Sequence, residues 1–211
     1  MVDFNLLAGH VALDLVNTYD NRFRPDAQTE LLATYDDLVR FAAQAGLVSE
    51  VEKQVLRASE KNAQGAALRS ARNLREGLAR VFYGSQDEQT APAEAIAILE
   101  RHFKVAAQNR TLTWIDRHAL WGWPARVEAA LPVWKLADAA FQLLISEAAM
   151  RVRSCEADPC RWLFLDNSKN HTRRWCDMKI CGNRMKARRF QARNAQAREP
   201  QRQQRNEVNR D

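Results

Sequence analysis

The amino-acid sequence predicts a mainly α (α+β) fold: a helical N-terminal domain with a short β-hairpin, followed by a small cysteine-bearing module. Three observations point there. Apolar residues recur at helical spacing through most of the first 150 residues. One short segment alternates instead, with β-branched and aromatic residues. All four cysteines lie near the C-terminus.

Ala12, Leu15, Val16 and Tyr19 follow the i, i+3, i+4, i+7 spacing of an amphipathic helix, although Val11, Leu13 and Leu15 also fit a strand. Thr34 with Asp37 resembles a capping box. Leu38, Phe41, Ala42 and Ala45 supply the stripe behind it, and Gly46 sits where a helix stops. Ser49 with Glu52 repeats the start signal, and Val51, Val55 and Ala58 continue it. Leu68, Ala71, Leu74, Leu78, Val81 and Phe82 share one face of a longer helix ending near Gly84. Ser85 to Thr90 is polar and reads as a loop. Pro92 suits a first helical turn, with Ile96, Leu99, Phe103 and Ala106 as the stripe behind it.

Thr111–Ile115 alternates and reads as a short strand, and residues 120–124 as its hairpin partner. Trp114, Trp121 and Trp123 crowd this region and are expected to close a hydrophobic core, an aromatic ligand cage being the alternative. From Pro132 a helical pattern resumes through Leu136, Ala140, Phe141, Leu144 and Ile145, and Ser146 before Glu147 is expected to cap one further short helix. From Gln191 onward apolar residues almost vanish, so a fraying helix and then a disordered tail are expected.

No apolar run approaches the ~20 residues that span a bilayer, so no membrane partner is expected. Met1-Val2-Asp3-Phe4-Asn5 has no basic stretch followed by an apolar core, so a cytoplasmic protein is expected. The net charge of +6 is unevenly divided. Residues 1–150 carry 16 Lys+Arg against 19 Asp+Glu, whereas residues 151–211 carry 16 against 7. A mildly acidic body with a strongly cationic end suggests an acidic partner, nucleic acid first.

Cys155, Cys160, Cys176 and Cys181 are spaced C-x4-C-x15-C-x4-C. Two close pairs separated by a hairpin-sized span suit a tetrahedral zinc ion, each pair giving two thiolates from one tight turn. Four thiolates leave no open position, so the zinc would be structural. An iron–sulfur cluster also takes four cysteines, and two disulfides are the option outside the cell. The segment is too short to bury a core unaided, and zinc binding would supply its folding free energy. Trp162, Leu163, Phe164, Leu165 and Trp175 are expected to pack around the metal. Asp158-Pro159 favours a turn, and Gly182 lets the backbone bend close to it.

The segments Cys155-Glu156-Ala157-Asp158-Pro159-Cys160-Arg161-Trp162-Leu163-Phe164-Leu165-Asp166, Arg173-Arg174-Trp175-Cys176-Asp177-Met178 and Cys181-Gly182-Asn183-Arg184 together resemble the CGNR zinc finger. Ala12-Leu13-Asp14-Leu15-Val16-Asn17-Thr18 is similar to the opening motif of the ABATE domain, which precedes that finger in stress-induced transcription regulators of bacteria. The resemblance implies an ABATE-like, mostly helical domain over residues 1–150 that senses a small-molecule effector. A treble-clef-like finger with its basic helix would occupy residues 151–195 and a polar tail residues 196–211. It also implies contact between the finger and double-stranded DNA, and all four cysteines fall on the family's ligand positions.

A helix starting near Cys181 would place Arg184 and Arg188 on one face, Arg189 and Arg193 on a neighbouring one and Lys186 towards the flank, with Arg173 and Arg174 gripping phosphates alongside. Ser168, Lys169, Asn170 and His171 would form the tip between strands. In the N-terminal domain Asp14, Asn17 and Arg22 are candidates for the polar edge of a ligand pocket; capping or hydrogen bonds to the next loop are the structural alternative. The histidines His10, His102, His118 and His171 are scattered, and no nucleophile elbow or phosphate-cradling loop is present, so the chain does not read as an enzyme. Two function classes follow: a DNA-binding transcription regulator, with a homodimer as a further possibility, or a zinc-stabilised module that binds RNA or a protein.

Overall fold

The computed structural model describes residues 3–86 and 91–194. The part of the expected loop at 87–90 and the expected tail at 196–211 lie outside them. Among the described residues no helix is long and apolar enough to cross a membrane.

The segment that fitted either helix or strand is helix α1, Val11–Asn17. His10 caps it, its Nδ1 accepting from Ala12 N at 3.2 Å. Ala12 through Asn17 are all buried, so this short helix is surrounded by the fold rather than laid on it. A two-residue ribbon follows, β1 Tyr19–Asp20 antiparallel to β2 Thr29–Glu30.

Helices α2 (Tyr35–Gln44) and α3 (Glu50–Arg57) both start with full capping boxes, Thr34 with Asp37 and Ser49 with Glu52. Gly46 ends the first at φ +73, a conformation that costs a residue with a Cβ. On α3 the inward residue is Leu56, while Val51 and Val55 are exposed. That corrects the expected stripe: an eight-residue helix on the domain's edge has one contact line, and Leu56 fills it.

The long helix α4 (Lys61–Gln86) buries Ala67, Ala71, Leu74, Leu78 and Phe82, and it runs through Gly84 to include Ser85 and Gln86. Helices α5 (Ala93–Gln108) and α6 (Leu131–Leu144) pack against it. Gly77 permits the approach of α4 to α5, since a Cβ there would meet Leu99 Cδ2 at 3.0 Å. Strands β3 (Thr111–Ile115) and β4 (His118–Gly122) pair antiparallel through a two-residue turn, Asp116 and Arg117 both at positive φ. This hairpin does not close a core. Trp114 and Trp121 are exposed and only Trp123 is half-buried, beneath the Arg110 guanidinium at 4.2 Å. Ser146 likewise turns back to Leu143 O instead of capping the 3-10 turn Glu147–Arg151.

The C-terminal module begins with β5 (Val152–Ser154) antiparallel to β6 (Leu163–Leu165). Side chains alternate across β6. Leu163 and Leu165 join the core of the helical domain, and Phe164 faces the cysteines. This corrects the expectation that all three surround the metal. Asn17 locks the strand in place: its Nδ2 donates to Leu163 O and its Oδ1 accepts from Leu163 N, both at 2.9 Å. Leu165 N donates to Ala8 O at 2.7 Å, so the N-terminal segment extends the grip along β6.

Replacing Asn17 by alanine would leave the buried N–H and C=O of Leu163 without partners. Urea unfolding of Asn17→Ala is expected to show a loss of about 2–4 kcal/mol, with the body's helical content retained.

Candidate metal centre and basic helix

The four cysteines arrive from two turns of equal spacing but different build. Cys155 follows β5, its N–H donating to Trp162 O at 2.8 Å, and Cys160 closes the turn by donating to Ala157 O at 2.7 Å. Across the centre, Glu156 N donates to Arg174 O at 2.9 Å, which ties the first turn to the strand of chain leading into Cys176. Asp177 caps the next turn, its Oδ1 accepting from Ile180 N at 2.7 Å, and Met178–Gly182 winds Cys181 back towards the other three. Gly182 is buried against Met178 and Trp175, where an added Cβ would collide with the Met178 thioether. Its contribution is close packing beside the site.

All four Sγ atoms lie within 4.8 Å of one another, and Cys155, Cys176 and Cys181 are buried. The Cys160–Cys176 and Cys176–Cys181 separations are 3.6 and 3.7 Å. A tetrahedron with Zn–S of about 2.3 Å has edges of about 3.8 Å, so the sulfurs already stand at zinc-binding spacing. A disulfide needs about 2.05 Å, and all four cysteines are free thiols, which removes the disulfide reading. A multi-iron cluster would hold its thiolates further apart. The thiols also compete for charge. Hydrogen bonds from Cys160 and Cys176 push the Cys155 thiol well down, and their bonds to Cys155 push Cys160 and Cys176 up. A bound dication would relieve that competition by stabilising all four thiolates together.

Phe164, Trp162, Trp175 and Met185 pack around the cluster. Asp166 and the Trp162–Asp20 pair organise its outer layer. The buried Asp166 accepts from Ser168 N, Ser168 Oγ and Arg173 N, fixing the bend after β6. Trp162 Nε1 donates to Asp20 Oδ1 at 2.7 Å, a second tie to the helical domain, and Tyr83 OH donates to Arg161 O at 2.9 Å. The Asp-x-Ser spacing of Asp166 and Ser168 was a legible turn signal; the tie to Asp20 left none.

Beyond Gly182 the chain is helical over residues 183–194, α7. Arg184, Lys186, Arg188, Arg189 and Arg193 are exposed on it, and Met185 is its half-buried contact with the finger. Arg188 Nη1 donates to Asp158 O at 2.6 Å, which fastens the helix to the first cysteine turn. Arg173 is engaged differently. Its guanidinium donates to Trp175 O and Cys176 O and lies over the Phe164 ring at 4.7 Å, so it braces the second cysteine turn. Arg174 is ion-paired with Glu156. Of the tip residues, Lys169 and Asn170 are exposed, whereas Ser168 and His171 hydrogen-bond around Asp166.

The candidates in the helical domain lie apart from this surface. Asp14 Oδ1 accepts from Ala8 N at 2.9 Å, holding the segment that grips Leu165. Asn17 clamps Leu163 as described. Arg22 pairs with Glu76, which also binds Arg75, and Arg75 in turn binds Glu30. Burial pushes the Asp14 carboxyl up to about 6, against the lowering by hydrogen bonds from Ala8 and Leu7. The native state thus holds this proton more tightly than the unfolded chain, where the ordinary value is 3.8. The stability from this group is complete below about pH 4 and lost as pH rises through about 6.

Compared with known families, residues 9–147 match ABATE, described as "Putative stress-induced transcription regulator". Residues 151–194 match the CGNR zinc finger. Neither description is of an enzyme. No curated protein matches the chain. With the finger match added to the sulfur geometry, Cys155, Cys160, Cys176 and Cys181 hold one structural Zn2+ per chain.

Two outcomes follow from this geometry. Elemental analysis is expected to find one zinc per chain, and Cys176→Ser to lose it; hydrogen exchange should then speed up across residues 151–194 while α4 to α6 stay protected. In zinc-saturated protein, Asp14→Asn should gain about 3 kcal/mol relative to the parent between pH 4 and 7, as read by denaturant unfolding.

Proposed function

The chain belongs to the ABATE family and carries a CGNR zinc finger, and we propose from that premise that it is a DNA-binding transcription regulator whose finger helix grips the phosphate backbone of duplex DNA. The single observation that carries this reading is the composition of α7: five exposed cations in twelve residues and no acidic side chain. The body balances its charges in internal pairs such as Arg75–Glu30 and Arg110–Asp138. Among the described residues no carboxylate pairs with the cations of α7, and a polyanion would neutralise several of them at once.

Rigidity favours the same reading. The zinc site fixes the start of the helix through Cys181, and the Arg188–Asp158 bond holds it two turns later. Cations presented on a fixed rod lose less side-chain and backbone entropy on docking than the same cations on a loose tail. Arg184, Lys186 and Arg189 supply the phosphate contacts. Arg173 serves the reading indirectly by bracing the turn that aims the helix.

A duplex titration at several salt concentrations tests this. Binding is expected to weaken steeply with salt, with a log–log slope of about −0.9 per phosphate contact. Arg184→Ala and Arg189→Ala should each flatten that slope by about 1. Binding that is absent at low salt, or a slope unchanged in both variants, overturns the proposal; stronger retention of single-stranded RNA than of duplex DNA does the same.

A further inference from the structure

The β3–β4 hairpin leaves a large apolar surface bare. Trp114 is 73 % exposed, Leu112 68 % and Trp121 58 %, with Leu120 and Ile115 about half exposed. The register sets Leu112 opposite Trp121 and Trp114 opposite Ala119, so one face is wholly apolar. Among the described residues no further strand pairs with either edge. A lone two-stranded hairpin is marginal in water. Indole side chains of about 150–250 Å² each leave on the order of 250 Å² uncovered on these two tryptophans. With Leu112 beside them the patch falls within the roughly 300–600 Å² of the largest patches on monomers, which are often functional; Leu120 and Ile115 lie on the opposite face.

A groove of about 660 Å³ adjoins the hairpin, and Trp121 belongs to both. Helices α5 and α6 form its walls through Ile96, Phe103, Phe141 and Leu144. The charges at its edge are already matched, Glu100 with Lys104 and Arg110 with Asp138. The same side of the domain therefore presents an apolar knob and an apolar hole, neither with net charge. Nucleic acid finds nothing there to neutralise.

We propose that this face joins two copies of the chain, the Leu112 and Trp114 side chains of each copy entering the α5–α6 groove of the other across a twofold axis. A surface that carries both knob and hole is self-complementary, which a twofold interface demands. Hairpin face and groove, each buried twice across the axis, reach about the 1,000 Å² in total that a specific interface clears, the size of a weak dimer. The inference concerns the helical domain alone and holds whether or not α7 binds DNA.

Sedimentation equilibrium of the full, zinc-loaded chain without nucleic acid tests it. The expected species is a dimer of twice 24.2 kDa. Trp114→Glu on the knob and Ile96→Glu on the groove rim change exposed side chains, so each should retain its zinc and its thermal transition. Each should weaken self-association roughly a hundredfold or more, since both lesions occur twice per dimer. A monomer at every concentration overturns the proposal and leaves the groove to a small apolar molecule or another protein. A dimer that survives both variants overturns it too.

Discussion

Three residues of strand β6 serve two cores at once, and the rest of the architecture depends on that division. Leu163 and Leu165 complete the helical domain, and Phe164 completes the cysteine cluster. Neither face of the strand can be given up independently. The zinc ion organises the chain on one side, and Asn17 satisfies the strand's backbone on the other. Metal binding supplies folding free energy to the finger, and the shared strand transmits that order into the region around α1. A stiff finger and the segment around α1 thus support one another, while α4 to α6 keep a core of their own.

The arginines show how the same residue type is divided between fold and surface. Arg75 is nearly buried and bridges Glu30 and Glu76 beside α1. Arg110 stacks on Trp123 and binds Asp138, and Arg173 is folded back onto the second cysteine turn. The charges of Arg75 and Arg110 are balanced by carboxylates, and the donors of Arg173 are taken up by backbone carbonyls. On α7 the five cations are exposed, so their charge faces outward. The contrast between body and C-terminus is therefore sharper in the folded molecule than in a count of charges.

Features encoded within a few residues were legible in the sequence. The capping boxes of α2 and α3, the stop at Gly46, the β3–β4 hairpin and the cysteine spacing all depend on neighbours three to five positions apart or on one short turn. What could not be read was which face met which partner. Val51 and Leu56 are both apolar residues of α3, and only its placement on α2 decides that Leu56 is covered. Trp114 and Trp121 look like core residues until the hairpin is seen to project from the domain. Asn17 and Leu163 lie 146 positions apart, so no local pattern joins them. At the metal centre the four ligands stood out from spacing alone, while Arg173 read as a phosphate contact and is instead folded back onto the second cysteine turn.

The clamp on β6 also limits how such a protein can be rearranged. A finger excised at its family boundary would carry two bare leucines and an unpaired strand edge, both invitations to aggregate. Its natural unit is larger than its metal-binding motif and includes the stretch from Ala8 to Asp20 that cradles it. Lineages that exchange modules by recombination would have to move both pieces together, and the host and its appendage are in this sense a single heritable part.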